Sequence, residues 1–195
     1  MWNEKFAGED YFYGTQPCQW LVMNRHRFGR GQALAIGDGE GRNGVYLASQ
    51  GYNTTSLDQS EVGLEKAKRL AAANGVTLTT WHADLADTNL IDDQYDLIAA
   101  IYAHLPQPLR AITHAQCASA LKPGGLFILE AFHPLQLNYR SGGPKTEDLL
   151  YRADAICEEL KGLTIVDALE GRTELNEGSG HRGMGYVTRI VARRG

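Results

Sequence analysis

The sequence has little of what marks a secreted, membrane-embedded or nucleic-acid-binding chain. Its three cysteines, Cys18, Cys117 and Cys157, are odd in number, far apart and outside any C-x-x-C pair. That pattern excludes a disulfide framework and a thiolate zinc site, and it fits reduced thiols in a cytoplasmic protein. The opening "MWNEKFAGEDYFYG" lacks both a basic start and an apolar stretch, so it does not read as a signal peptide. The longest purely apolar run, "LIAAIYA" at 97–103, is far too short to span a bilayer. Acidic residues (23) outnumber basic ones (19), and no polybasic arm is present. The arginines of the terminal "RIVARRG" suit a solvated strand edge better than a nucleic-acid patch. No histidine stands at metal-ligand spacing from another. His26, His82 and His114 fall within strand or helix patterns, and His181 lies alone in a glycine-rich stretch, so no metal is expected.

What is present is an alternation of strand-like and helix-like segments in a length suited to one domain. Residues 1–30 read as an N-terminal helical lid segment and 31–195 as a sheet core. "ALAI" (33–36), "YNTTSLD" (52–58), "VTLTTWHAD" (76–84), "YDLIAAIYA" (95–103) and "LFILEAF" (126–132) read as strands. Helices are expected over 43–51, over 60–75 with Ser60 as N-cap, over 105–121 and over 146–160. The last two strands, 163–170 and 186–193, have no helix-length segment between them and should pair antiparallel. The expected fold is α/β: a doubly wound, seven-stranded, mostly parallel sheet with a C-terminal antiparallel hairpin.

In such sheets ligands bind beyond the carboxyl ends of the strands. Gly37, Gly39 and Gly41, then Asp58, Asp84 and Tyr102–His104, all fall at such ends. "GEGRNG" (39–44) literally matches the G-x-G-x-x-G dinucleotide fingerprint, with Asp58 placed to hold a ribose. That opens a nicotinamide-dependent oxidoreductase as one reading. Against it, a dinucleotide needs a second mononucleotide-binding half, and this sheet ends in a hairpin.

The ordered set "GDGEGRN" (37–43), Asp58, "ADL" (83–85), "YDLI" (95–98) and "LKPGG" (121–125) resembles the class I S-adenosylmethionine-dependent methyltransferases over most of the chain. With "YFYGTQP" (11–17) and "SGGP" (141–144), it is similar to the branch holding the tellurite-resistance and thiopurine methyltransferase-like enzymes. The resemblance implies a Rossmann-like fold, S-adenosylmethionine as cofactor and a small-molecule methyl acceptor, with thiol, selenium and tellurium species as the soft nucleophiles to consider. It implies no nucleic-acid or membrane partner.

Carried over residue by residue, Gly37, Gly39 and Gly41 would line the methionine moiety, with Asn43 beside them. Asp58 would accept from both ribose hydroxyls and Gln59 would flank the adenine. Asp84 would take the adenine amino group, with the Leu85 amide facing the ring. Ile101 and Tyr102 would close over the methionine side, and Tyr13 over the mouth as part of a mobile cover. His104 is the candidate general base, and His133 and Tyr139 are candidate acceptor contacts. The family's usual acid two residues before the first glycine is Ala35 here, leaving Asp38 or Glu40 as substitutes. A non-catalytic S-adenosylmethionine-binding protein is the remaining alternative.

Overall fold

The computed structural model describes residues 1–195. Seven strands form one sheet: β1 (Gly31–Ile36), β2 (Tyr52–Asp58), β3 (Thr79–His82), β4 (Tyr95–Ile101), β5 (Leu121–Phe132), β6 (Leu163–Glu177) and β7 (His181–Arg194). Their order is β3-β2-β1-β4-β5-β7-β6. β1 to β5 run parallel, whereas β7 is antiparallel to both β5 and β6. Six helices complete the chain: α1 (Trp2–Lys5), α2 (Gln19–Met23), α3 (Arg42–Ser49), α4 (Glu61–Ala73), α5 (Leu109–Ala120) and α6 (Ala153–Glu159).

The central strands are apolar throughout because both sheet faces are covered. Along β4, Ile98 and Ala100 join a core with Tyr151, Ile156 and Leu160, while Leu97, Ala99 and Ile101 join one with Leu21 and Leu47. Phe127 and Leu129 of β5 likewise point to the first core, and Leu126 and Ile128 to the second. Successive side chains of a strand alternate faces, so one continuous apolar run supplies two cores.

The expected elements recur with five adjustments, the first being that β5 begins at Leu121 and not at residue 126. β3 is confined to Thr79–His82, because Val76 and Leu78 pack instead against the buried Val45, Leu70 and Ala71. α5 begins at Leu109 and not at residue 105; Pro106 and Pro108 disfavour helical geometry in the residues before them. The helix expected over 146–160 is interrupted, since Leu150 and Arg152 are extended and Tyr151 between them is fully buried, with its N–H donating to Phe132 O (2.8 Å). β6 and β7 run several residues longer than expected, so the glycine-rich stretch at 174–186 becomes the end of the hairpin.

The order reverses between β1 and β4, as the chain crosses from one side of β1 to the other. A crevice at the carboxyl ends of these strands is the expected ligand position.

Candidate active site

A cavity of ≈ 710 Å³ opens at that switch point. Gly37, Gly39, Asn43, Asp58, Gln59, Asp84, Leu85, Ile101, Tyr102, Tyr13 and His104 all line it. Three of the expected site residues do not. Gly41 caps the start of α3 with φ +87°, and a Cβ there would sit 2.4 Å from the Ala67 methyl, so this glycine serves the contact with α4. His133 is turned toward Tyr186 (ring centroids 5.0 Å) and Glu170. Tyr139 follows the short helical turn at Pro134–Asn138 and stays outside the cavity.

The glycine loop and the end of β2 are tied together through Asp58. One carboxylate oxygen accepts from Gly39 N–H and the other from Ser60 N–H, each at 2.8 Å. Ser60 meanwhile caps α4 by accepting from Gly63 N–H at 3.0 Å. Burial pushes the Asp58 carboxyl upward, and these backbone donors pull it back. Each carboxylate oxygen still has lone-pair capacity, which suits a pair of hydroxyl donors. Asp84 is exposed and accepts from Ala86 N–H at 2.9 Å, so it also caps the turn that follows it.

Neither acid nominated to replace the one absent at Ala35 is free. The Asp38 carboxylate accepts from Gly44 N–H in the first turn of α3 (3.1 and 3.2 Å) and from the Ser56 hydroxyl. Gly44 must be glycine, since a Cβ would fall 2.2 Å from Ser56 Oγ and 2.4 Å from Asp38 Oδ2. Glu40 pairs with the buried Lys66 at 2.5 Å and accepts from Phe12 N–H at 2.8 Å. The start of α3, where a dinucleotide fold binds pyrophosphate, is therefore filled by the protein's own carboxyl. Four acids, Asp38, Glu40, Asp58 and Asp84, line this end of the cavity. Glu40 is already neutralised by Lys66, so Asp58 and Asp84 are the acceptors left here for a nucleoside, and the Asp38 carboxyl at the start of α3 opposes a phosphate.

Burial raises the Asp38 carboxyl to about 7, with bonds from Ser56 and Gly44 opposing the shift. An acid with a raised folded-state value holds a proton that the unfolded chain has released. Stability should therefore fall as pH rises between about 4 and 7, by at most about 1.4 kcal/mol per pH unit. In Asp38→Asn the amide keeps the Gly44 and Ser56 bonds but does not titrate. Urea unfolding across that pH range should show wild type losing stability relative to the variant; parallel curves would refute the assignment.

Tyr102 adopts φ +54°, a left-handed conformation uncommon for a bulky side chain and concentrated at functional sites. Its hydroxyl donates to Glu130 at 2.6 Å, and its N–H to the Glu130 carbonyl at 2.7 Å. Glu130 is also bonded by the Cys18 thiol (3.2 Å) and by Arg189. Cys18, Glu130 and Glu177 lie close together, but Arg42 and Arg189 already pair the two carboxylates. Burial, with Glu130 next in effect, pushes the Cys18 thiol well up, so it is no nucleophile.

His104 does not suit the role of base. Leu149 O can only accept, so Nδ1 carries the proton in the 2.7 Å contact between them, and Nε2 accepts from Phe132 N–H at 3.4 Å. Burial lowers the imidazole to about 4. Sequence reasoning gave no role to Arg42 and His181, which line the same cavity, or to Glu177, which joins them from behind. Their link is a hairpin contact with α3 that no local pattern reports.

Sheet order, glycine loop and strand-end acids match the arrangement that the resemblance to class I S-adenosylmethionine-dependent methyltransferases led us to expect. Residues 33–125, just under half of the chain, match a family model described as "Methyltransferase domain". The chain is 29% identical over 105 residues to 2-heptyl-1-hydroxyquinolin-4(1H)-one methyltransferase of Mycobacteroides abscessus, covering 52% of this chain and 46% of the relative. It thus spans less than half the length of that curated relative. Two solved structures share the fold. TehB from Haemophilus influenzae has a TM-score of 0.74 at 20% identity, covering 90% of this chain and 61% of TehB. The other belongs to work on converting a disulfide bond into a thioacetal group during echinomycin biosynthesis. It has a TM-score of 0.78 at 18% identity, covering 98% of this chain and 87% of that one.

Proposed function

We propose that this protein transfers a methyl group from S-adenosylmethionine to a small, largely apolar acceptor, a thiol in preference to a selenium or tellurium oxyanion. The observation that carries the reading is that one cavity contains both ends such a reaction needs. At one end are the glycine loop, Asp58 and Asp84, the residues that would hold the cofactor. At the other, Leu105, Leu109, Phe132, Pro144 and Leu149 form an apolar wall. A wall of that kind suits an acceptor with carbon surface to bury. The structural neighbour from echinomycin biosynthesis is tied to conversion of a disulfide bond into a thioacetal group, and this supports a sulfur acceptor.

The cofactor, when bound, supplies a methyl group already activated on a positively charged sulfur. What remains for the chain is to orient, to align and to exclude water. Holding reacting groups near attack distance contributes roughly 7–11 kcal/mol to lowering a bimolecular barrier. Asp58 and the glycine backbone would fix one partner, and the apolar wall the other. Tyr13, Phe12 and the hairpin end at Ser179–His181 line the mouth between them and keep water out.

Isothermal calorimetry tests the reading. S-adenosylhomocysteine should bind and NAD should not. Asp58→Ala should weaken binding by roughly 1.5–3 kcal/mol, or about 10- to 150-fold, with the fold intact. Binding of NAD in place of the nucleoside would return the protein to the oxidoreductase alternative. Unchanged affinity in the variant would leave Asp58 as a tie between loop and helix only. Cofactor binding with no turnover on any thiol would favour the non-catalytic alternative.

A further inference from the structure

The cavity holds one imidazole with a free nitrogen. His181 Nδ1 stands 2.9 Å from one oxygen of the Glu177 carboxylate, whose other oxygen pairs with Arg42 Nη1 at 3.0 Å. Burial opposes charge on Glu177, but the bonds from His181 and Arg42 outweigh it and hold the carboxyl below its usual range. The carboxylate can therefore only accept, which places the proton on Nδ1 and the lone pair on Nε2. Nε2 makes no hydrogen bond within the protein, and the residue lines the cavity. The ring is fixed among Tyr13 (centroids 4.5 Å), Tyr102 (4.5 Å) and Phe132 (5.0 Å). Its Cδ2 edge, next to Nε2, is left room by Gly142, where a Cβ would approach to 2.7 Å.

A base oriented by a carboxylate, with its second nitrogen unengaged beside an apolar wall, is the arrangement that proton abstraction requires. We propose that His181 is the general base of this site, oriented by Glu177, and that the acceptor carries a weakly acidic S–H or O–H group. The proposal rests on the methyl-transfer reading above. Nε2 takes the acceptor's proton as the acceptor's electron pair forms the bond to the methyl carbon. The old carbon–sulfur bond breaks with its pair retained by sulfur, giving a neutral thioether, and the imidazolium then returns its proton to water.

The groups facing the ring set its protonation. They are Glu177 from its own hairpin, Arg42 from α3, Lys5 and Tyr13 from the N-terminal segment, and Tyr102 and His104 from the end of β4. Burial lowers the imidazole below its ordinary value, with Glu177 opposing, so it is neutral and able to accept at neutral pH.

The test uses a series of substituted thiophenols and phenols of graded acidity with S-adenosylmethionine, comparing wild type with His181→Ala. For acceptors protonated at the assay pH, the variant should be roughly 10²- to 10⁴-fold slower. The deficit should vanish for acceptors already ionised, and affinity for S-adenosylhomocysteine should not change. A second measurement needs no turnover: ¹⁵N NMR of wild type at pH 7 should show His181 protonated on Nδ1 alone, and Glu177→Gln should disturb that signal. An equal deficit across the series, or a proton found on Nε2, overturns the base while methyl transfer stands. If wild type binds the cofactor yet methylates nothing in the series, methyl transfer itself falls, and the base with it.

Discussion

Lys66→Met should lower the free energy of unfolding by about 3–5 kcal/mol, the cost of leaving a buried charge without its partner. Lys66 is 2% exposed, and its ammonium does four things at once. It pairs with Glu40 at 2.5 Å and donates to the carbonyls of Phe6 (3.3 Å), Gly8 (2.9 Å) and Asp10 (2.7 Å). Glu40 in turn accepts from the Phe12 and Tyr13 amides. Residues 6–13 are thus clamped to α4 and to the glycine loop, and Phe6 lies against Gly39, where a Cβ would come within 3.0 Å of its ring. The N-terminal segment expected as a mobile cover is held here as a fixed wall. In the variant a Glu-specific protease should cut after Glu9 faster. Adding Glu40→Gln, which removes the stranded charge but keeps an acceptor for the amides, should recover part of the loss. Guanidinium unfolding measures all three proteins; an unchanged midpoint in the single variant would show that the clamp contributes nothing.

Glu130→Ala should cost a similar amount, about 3–5 kcal/mol, read as a fall in melting temperature of roughly 6–20 °C for a chain of this length. Glu130 is 1% exposed in the middle of the sheet floor. Its removal strands the Arg189 guanidinium and leaves the Tyr102 hydroxyl and Cys18 thiol without their acceptor. Tyr102 has a second reason to depend on it, because the strained φ of +54° persists only while its surroundings over-determine it. Glu130→Gln keeps an acceptor in place and should lose less. Scanning calorimetry of the two variants decides the matter, and equal losses would assign the effect to β5 packing.

The sheet was legible because each strand announced itself by composition: apolar runs at 95–101 and 126–132, and a strand ending on an acid at Asp58. The position of Asp58 at the cavity followed from the same pattern, since a strand end in a doubly wound sheet faces the ligand crevice. What the sequence hid was the work done by side chains far apart in the chain. Gly41 reads as a loop glycine until Ala67 is placed beneath it, 26 residues later in the sequence. His104 reads as a base until Leu149 and Phe132 occupy both its nitrogens. His181 stood in a stretch without periodicity, and only the hairpin brings Glu177 beside it and Tyr13 over it.

The hairpin end also closes on the other extremity of the fold. Phe12 O accepts from Gly180 N–H at 3.0 Å, and a Cβ on Gly180 would run into the rings of Phe12 and Tyr13. During synthesis residue 12 must wait for residue 180, an interval of roughly 8–34 s at 5–20 residues per second. The nascent chain can pair β1 with β4 before then, but both cores still lack Ile190, Val191 and Ala192 of β7, and the mouth of the cavity has no far side until the hairpin emerges. Until then the sheet stops at β5 and its crevice stays open. Competence for ligand therefore waits until the hairpin has docked against residue 12.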